Sequence, residues 1–221
     1  MLRARMLLNR VRKAVLAELA GTALLVAAVV GSGIAATRLS DDVGVQLLLN
    51  ALATVAALGV LIHVLAPTSG AHLNPVVSVV AWARGSLAGR AVLPYVVAQC
   101  LGACAGTLLA HAMFEVPLTG GFAGDRSGTG QLLGEVVATL GLVVVAFRTD
   151  RAAVTVPAWI GAAYLFTSST SFANPAVTLG RALTDTFSGI GWADVPGFVL
   201  AQCVGAALAL LVLHLTLQES S

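Results

Sequence analysis

Apolar residues run through this chain in long stretches, approximately Ala14 to Ala36, Val43 to Ala66, Ala91 to Phe114, Gln131 to Phe147, Ala152 to Ser168 and Pro196 to Leu217. A helix needs about 20 apolar residues to cross a hydrocarbon core ~30 Å thick, so the pattern predicts six membrane spans. The fifth, at about 17 residues, is the shortest. Two further apolar stretches are too short to span, and each is opened by Asn-Pro: Asn74-Pro75 in SGAHLNPVVS and Asn174-Pro175 in SFANPAVTLG. Proline at a first helical position gives up an N–H that would have been unpaired, and the asparagine before it can cap, so each dipeptide reads as a helix start. The first stretch, Val76 to about Trp82, ends at Arg84-Gly85; the second runs from Ala176 to Leu183 and ends at Asp185. About ten residues at 1.5 Å each is roughly half the core, so these are half-spans.

The two dipeptides lie one hundred residues apart, and their flanks repeat as well. Ala98-Gln99-Cys100-Leu101-Gly102-Ala103 recurs as Ala201-Gln202-Cys203-Val204-Gly205-Ala206, and Glu18-Leu19-Ala20-Gly21-Thr22 is echoed by Glu135-Val136-Val137-Ala138-Thr139. The chain reads as one membrane domain over 1–221, made of a first repeat at about 14–114 and a second at about 131–217. Composition agrees independently. A hydrophobic fraction of 58%, only 10% charged residues and a mean hydropathy of +0.93 exclude a soluble domain. The first apolar run is longer than the core of a cleavable signal peptide, so a retained first span is expected.

With six spans, Arg3, Arg5, Arg10, Arg12, Lys13, Arg84, Arg90, Arg148 and Arg151 share one side, nine of the twelve basic residues. Positive-inside bias makes that side cytoplasmic, with both termini inside a plasma or inner membrane. The basic N-terminal run is thereby a topogenic signal rather than a nucleic-acid arm. An odd number of spans separates the repeats, so one half-helix enters from each side and their N-termini meet near the midplane. Irregular backbone at that depth is tolerated where it lines a water-filled cavity, which predicts a pore. Peptide dipoles and the Asn74 and Asn174 amides would face it, opposing cations and protons while offering donors to a passing oxygen.

SGAHLNPVVS and FANPAVTLGRAL, with six spans and an inverted duplication, resemble the major intrinsic protein (aquaporin) family from roughly Ala17 to Leu215. The resemblance implies an all-α membrane fold of six transmembrane helices plus two re-entrant half-helices. It also implies a homotetramer with one pore per subunit, passive conduction of water or small uncharged solutes, and no cofactor. The pore motifs would be Asn74, Pro75 and Val76, where the family usually has Asn-Pro-Ala, and Asn174, Pro175 and Ala176. Glu18 and Glu135 would be the family's buried glutamates, bonded to the re-entrant loops, and His72 would brace the first loop.

Most members carry arginine directly after the second motif, as the charged wall of an outer constriction. This chain has Val177 there. Spacing from the asparagines gives Thr54, Ala162 and Ser171 as the other constriction positions, none of them aromatic. Such a filter should be wider and less polar than a strict water filter, favouring neutral, weakly solvated molecules. Glycerol, urea and uncharged metalloid hydroxides such as arsenous acid fit, and the chain is similar to bacterial members that lack the arginine. Arg181, four residues beyond Val177, is expected to line the outer vestibule, the alternative being that it reaches back as the filter cation.

Cys100 and Cys104 share a helix face, but lie among Gly102 and Gly106 in what reads as close helix packing, without metal-ligand spacing. His63, His111 and His214 have no carboxylate at motif spacing. A secondary transporter also uses inverted repeats but needs coupling-ion ligands at the midplane, where this chain offers asparagine amides and apolar groups. A membrane enzyme would need a nucleophile with its base or a metal cluster, and neither is found.

Overall fold

A computed structural model describes residues 2–118 and 126–216, with side chains from Asn9 onward. The outermost bounds of the sequence reading, Leu217 included, and the side chains of Arg3 and Arg5 lie outside these described residues. The fold is all-helical: α1 Leu2–Leu39, α2 Val43–Ser69, α3 Pro75–Ala83, α4 Gly89–Phe114, α5 Thr129–Arg148, α6 Ala152–Phe166, α7 Pro175–Arg181 and α8 Val195–Leu215. Five of them, α1, α2, α4, α5 and α8, are long and apolar enough to cross a membrane. The sixth, α6, has 15 residues, or about 22 Å at 1.5 Å per residue. It stops at Phe166 because the chain must turn into the second re-entrant segment, and the Thr167 hydroxyl caps its end by donating to Ala163 O at 2.7 Å.

The half-helices start where the dipeptides predict. Asn74 and Asn174 are N-caps in extended conformation, and their side-chain oxygens accept from Val76 N at 3.1 Å and from Ala176 N at 3.0 Å. The second is shorter than the apolar run suggests. After Arg181 the ladder tightens to an i→i−3 bond, Leu183 N to Gly180 O at 3.2 Å, and the helix ends.

Packing repeats in the same way. Helix α1 lies along α4, and α5 along α8, each pair in contact at a glycine. A Cβ on Gly102 or Gly106 would strike Leu19 O or Ala23 O of α1, and one on Gly205 would strike Val136 O of α5. Without a hydrophobic drive between helices in lipid, such close backbone approach gives the dispersion contact that holds the pairs. This is where Cys100, Cys104 and Cys203 fall, half-buried or exposed beside the glycine seams. Among the described residues no group of His, Cys, Asp and Glu could hold a metal ion.

Candidate functional site

Residues 70–73 and 170–173 re-enter the protein without regular structure, and six of them carry matched left-handed backbone: Gly70 (φ 87°), Ala71 (φ 49°) and Leu73 (φ 50°), and Thr170 (φ 59°), Ser171 (φ 51°) and Ala173 (φ 48°). Each such non-glycine residue costs about 1–2 kcal/mol, so something must hold it there. In both loops the holder is a fully buried glutamate. Glu18 accepts from His72 N at 2.9 Å, Leu73 N at 2.6 Å, Ser69 Oγ at 2.6 Å and Gln99 Nε2 at 2.8 Å. Glu135 accepts from Phe172 N at 2.8 Å, Ala173 N at 2.8 Å and Gln202 Nε2 at 2.6 Å. The glutamines in turn donate to hydroxyls of the half-helices, Gln99 to Ser78 Oγ and Gln202 to Thr178 Oγ1, both at 2.9 Å.

Turning those N–H groups toward the carboxylates leaves the carbonyls to face the other way. Among the described residues, Gly70, Ala71 and His72 O, and Ser171 and Phe172 O, accept from no protein group, although all five residues line one cavity. The loops are tied to each other across it. Asn74 Nδ2 donates to Ala173 O at 2.8 Å, and Asn174 Nδ2 donates to Leu73 O at 2.7 Å. Each amide keeps a second hydrogen with no protein acceptor among the described residues, and both asparagines line the cavity.

That cavity, of about 190 Å³, runs from Ala146, Phe147 and Ala152 beside the α5–α6 connection to Thr54, Tyr164 and Ser171. Leu58, Ile62, Val156 and Ile160 make an apolar flank between. A strip of free carbonyls and amide hydrogens facing an aliphatic wall lets a solute exchange water for fixed dipoles on one side only.

Of the sequence-predicted positions, Thr54, Ser171 and Val177 line the cavity together with Asn74 and Asn174. Pro75, Val76, Pro175 and Ala176 lie behind the caps, in the packed wall. Ala162 does not line it. It is exposed on the opposite face of α6, beside Ala158 and Trp159. The α6 residue that lines the cavity beside Thr54 is Tyr164, 3% exposed, its hydroxyl 3.4 Å from Thr54 Oγ1. Two residues along a helix is a rotation of about 200°, so a two-residue miscount reverses the face. The cavity lining therefore includes an aromatic ring. Ser171 Oγ is buried with no protein partner.

Arg181 is also not where the sequence reading put it. Its side chain is 2% exposed and is not among the cavity-lining groups. Its Nε donates to Ser188 O, and its guanidinium carbon sits 3.3 Å from the centroid of the Phe172 ring. Residues 183–190 fold back over the end of α7, with Ile190 N on Arg181 O at 3.2 Å, and cover what would otherwise be a vestibule wall. His72 Nδ1 lies 3.0 Å from Ser78 Oγ, and its ring lies 5.5 Å from Tyr95. Gln99, Gln202, Ser69, Ser78, Thr178 and Tyr95 were missed as loop supports. The repeated Ala-Gln-Cys flank was the signal that could have found the two glutamines.

Two inverted repeats whose capped half-helices are tied across a lined cavity define a membrane channel. The chain belongs to the major intrinsic protein family, whose sequence profile matches residues 6–169. It is 50% identical over 209 residues to "Aquaglyceroporin AqpS" of Rhizobium meliloti (strain 1021), covering 92% of this chain and 90% of that protein. It is 33% identical over 178 residues to "Probable aquaporin AqpM" of Archaeoglobus fulgidus, covering 72% of each. The fold is similar to the X-ray structure of the aquaglyceroporin from Plasmodium falciparum, with a TM-score of 0.71, 22% identity, and coverage of 91% of this chain and 94% of that one.

Proposed function

We propose that this protein is a passive channel for water and glycerol-type polyols, with an arginine-free constriction of Thr54, Tyr164, Ser171 and Val177 that also admits uncharged metalloid hydroxides such as arsenous acid. The observation that carries the reading is the two-sidedness of that constriction. Hydroxyls of Thr54, Tyr164 and Ser171 stand on one part of the wall and the methyls of Val177 on another, with Ser171 Oγ unpaired. A polyol or a metalloid hydroxide has hydroxyls to exchange for the first and a compact body to lay on the second. Tyr164 makes the opening narrower than the sequence alone suggested. The missing guanidinium still favours solutes with little need of a charged donor.

A secondary transporter is not favoured. The midplane carries amides and carbonyls, and the family is one of channels rather than enzymes or pumps. We further propose a homotetramer with one pore in each subunit, placed in the plasma or inner membrane with both termini cytoplasmic. The support is the resemblance and the nine basic residues predicted on one side.

The test is osmotic swelling of proteoliposomes with water, glycerol, urea and arsenous acid. All flux should follow the solute gradient alone, be electrically silent, and rank glycerol and arsenous acid well above protein-free vesicles. Loss of glycerol flux when a proton or sodium gradient is collapsed at constant solute gradient would refute a passive path.

A further inference from the structure

The wall behind the outer half of the cavity holds a buried guanidinium. Arg181 is paired with a ring face and a carbonyl, Phe172 and Ser188 O, which solvate a cation through partial charges, while the carboxylate whose field reaches it, Glu135, stands beyond ion-pair distance. Among the described residues no carboxylate lies within ion-pair distance of it. Arg126 reaches the same ring, its guanidinium carbon 5.2 Å from the centroid, but its own backbone N–H meets Asp194 at 3.2 Å, so a carboxylate stands beside it.

Each re-entrant loop also has a buried carboxylate behind it, and the free carbonyls of Ser171 and Phe172 add to the negative field on the cavity side. The half-helix dipoles oppose cations where the two asparagines meet, but beside Ser171 and Phe172 that arrangement would draw cations toward the constriction. In most of the family an arginine in the pore opposes it, at the position filled here by Val177.

We propose that Arg181 performs the cation exclusion from inside the wall, one helical turn beyond Val177 and one ring's thickness behind Phe172. Rejection of charge is then separated from the width of the opening. In a low-dielectric wall a fixed charge acts over several ångströms without touching the path. The guanidinium therefore need not occupy the space that a polyol or metalloid hydroxide uses. The inference rests on the constriction reading given above and adds which residue sets its charge selectivity.

The test measures glycerol swelling and proton or potassium leak in the same proteoliposomes. Arg181→Met should leave glycerol flux within about two-fold and raise cation leak about ten-fold or more, while Arg181→Lys, which keeps the charge, should stay as tight as the unaltered protein. A well-assembled Arg181→Met that conducts glycerol and remains cation-tight would overturn the proposal. If Arg181→Met does not assemble, Arg181→Gln, which keeps an N–H donor for Ser188 O but not the charge, decides the question in the same way by its leak or tightness. Absence of glycerol flux in the unaltered protein would instead refute the constriction reading, a distinguishable result.

Discussion

The two re-entrant loops share a frame and differ in what surrounds it. Glu18 with Gln99 and Ser78, and Glu135 with Gln202 and Thr178, make the same carboxylate–amide–hydroxyl chain. At the next shell the halves part. Behind the first loop stand two polar rings, His72 and Tyr95, with Tyr95 donating from its hydroxyl to Ser69 O at 2.9 Å. At the matching places behind the second stand Phe172 and Phe198, 5.1 Å apart, with Arg181 on the Phe172 ring. The duplicated part is what fixes backbone carbonyls toward the cavity. The diverged part sets rigidity on one side and electrostatics on the other.

The largest expected effect comes from breaking the shared frame. Glu18→Leu removes an acceptor from four donors, two of them backbone groups of a strained loop, and each buried donor left unpaired costs about 1–3 kcal/mol. It should yield no monodisperse protein by size-exclusion chromatography in detergent. Glu135→Leu, with three donors among the described residues, should fail in the same way but less completely, retaining a fraction of folded material. Equal recovery of both would mean that the loops are not held as described.

Next comes the constriction. Val177→Arg should cut glycerol and arsenous acid flux at least about ten-fold while reducing water flux far less, because a bulky cation returns to the wall. Stopped-flow swelling against the unaltered protein reads this directly. An intermediate effect is expected on α6. Tyr164→Ala should change the ratio of glycerol to urea flux several-fold, whereas Ala162→Trp, on the outward face, should leave all fluxes unchanged. The reverse result would reinstate the count made from sequence. Smallest is His72→Phe, which makes the first loop resemble the second. Losing the bond to Ser78 should lower stability by about 0.5–1.5 kcal/mol, seen as a few degrees in thermal unfolding, with flux preserved.

These contrasts also show what a sequence can carry. Asn74, Asn174, Glu18 and Glu135 were legible because each belongs to a repeated pattern, and a repeat fixes its own register. Ser171 and Val177 were legible by counts of three residues from Asn174, and Thr54 by a count of twenty back from Asn74 along α2. Ala162 was counted twelve residues back from Asn174, across a segment in which α6 ends early at Phe166 and eight irregular residues precede α7, and a two-residue offset there reverses the helical face. Arg181 failed for another reason. Its i+4 spacing from Val177 is correct, but burial is decided by residues 183–190 folding over it, a tertiary event with no local signature. The glutamines were seen as part of a repeat without their partners, since hydrogen bonds across eighty residues have no sequence period.

The reciprocal bonds from Asn74 to Ala173 and from Asn174 to Leu73 carry a consequence for biosynthesis. The first half can complete its own carboxylate network as soon as Gln99 has been translated, but the amide of Asn74 has no cross-loop acceptor until Ala173, seventy-four residues further on, has left the ribosome. During that interval a polar cap waits at membrane depth. The insertion machinery must shelter it, or a second nascent copy must lend its own loop, so slowing translation between the repeats should increase capture of half-made chains by one another.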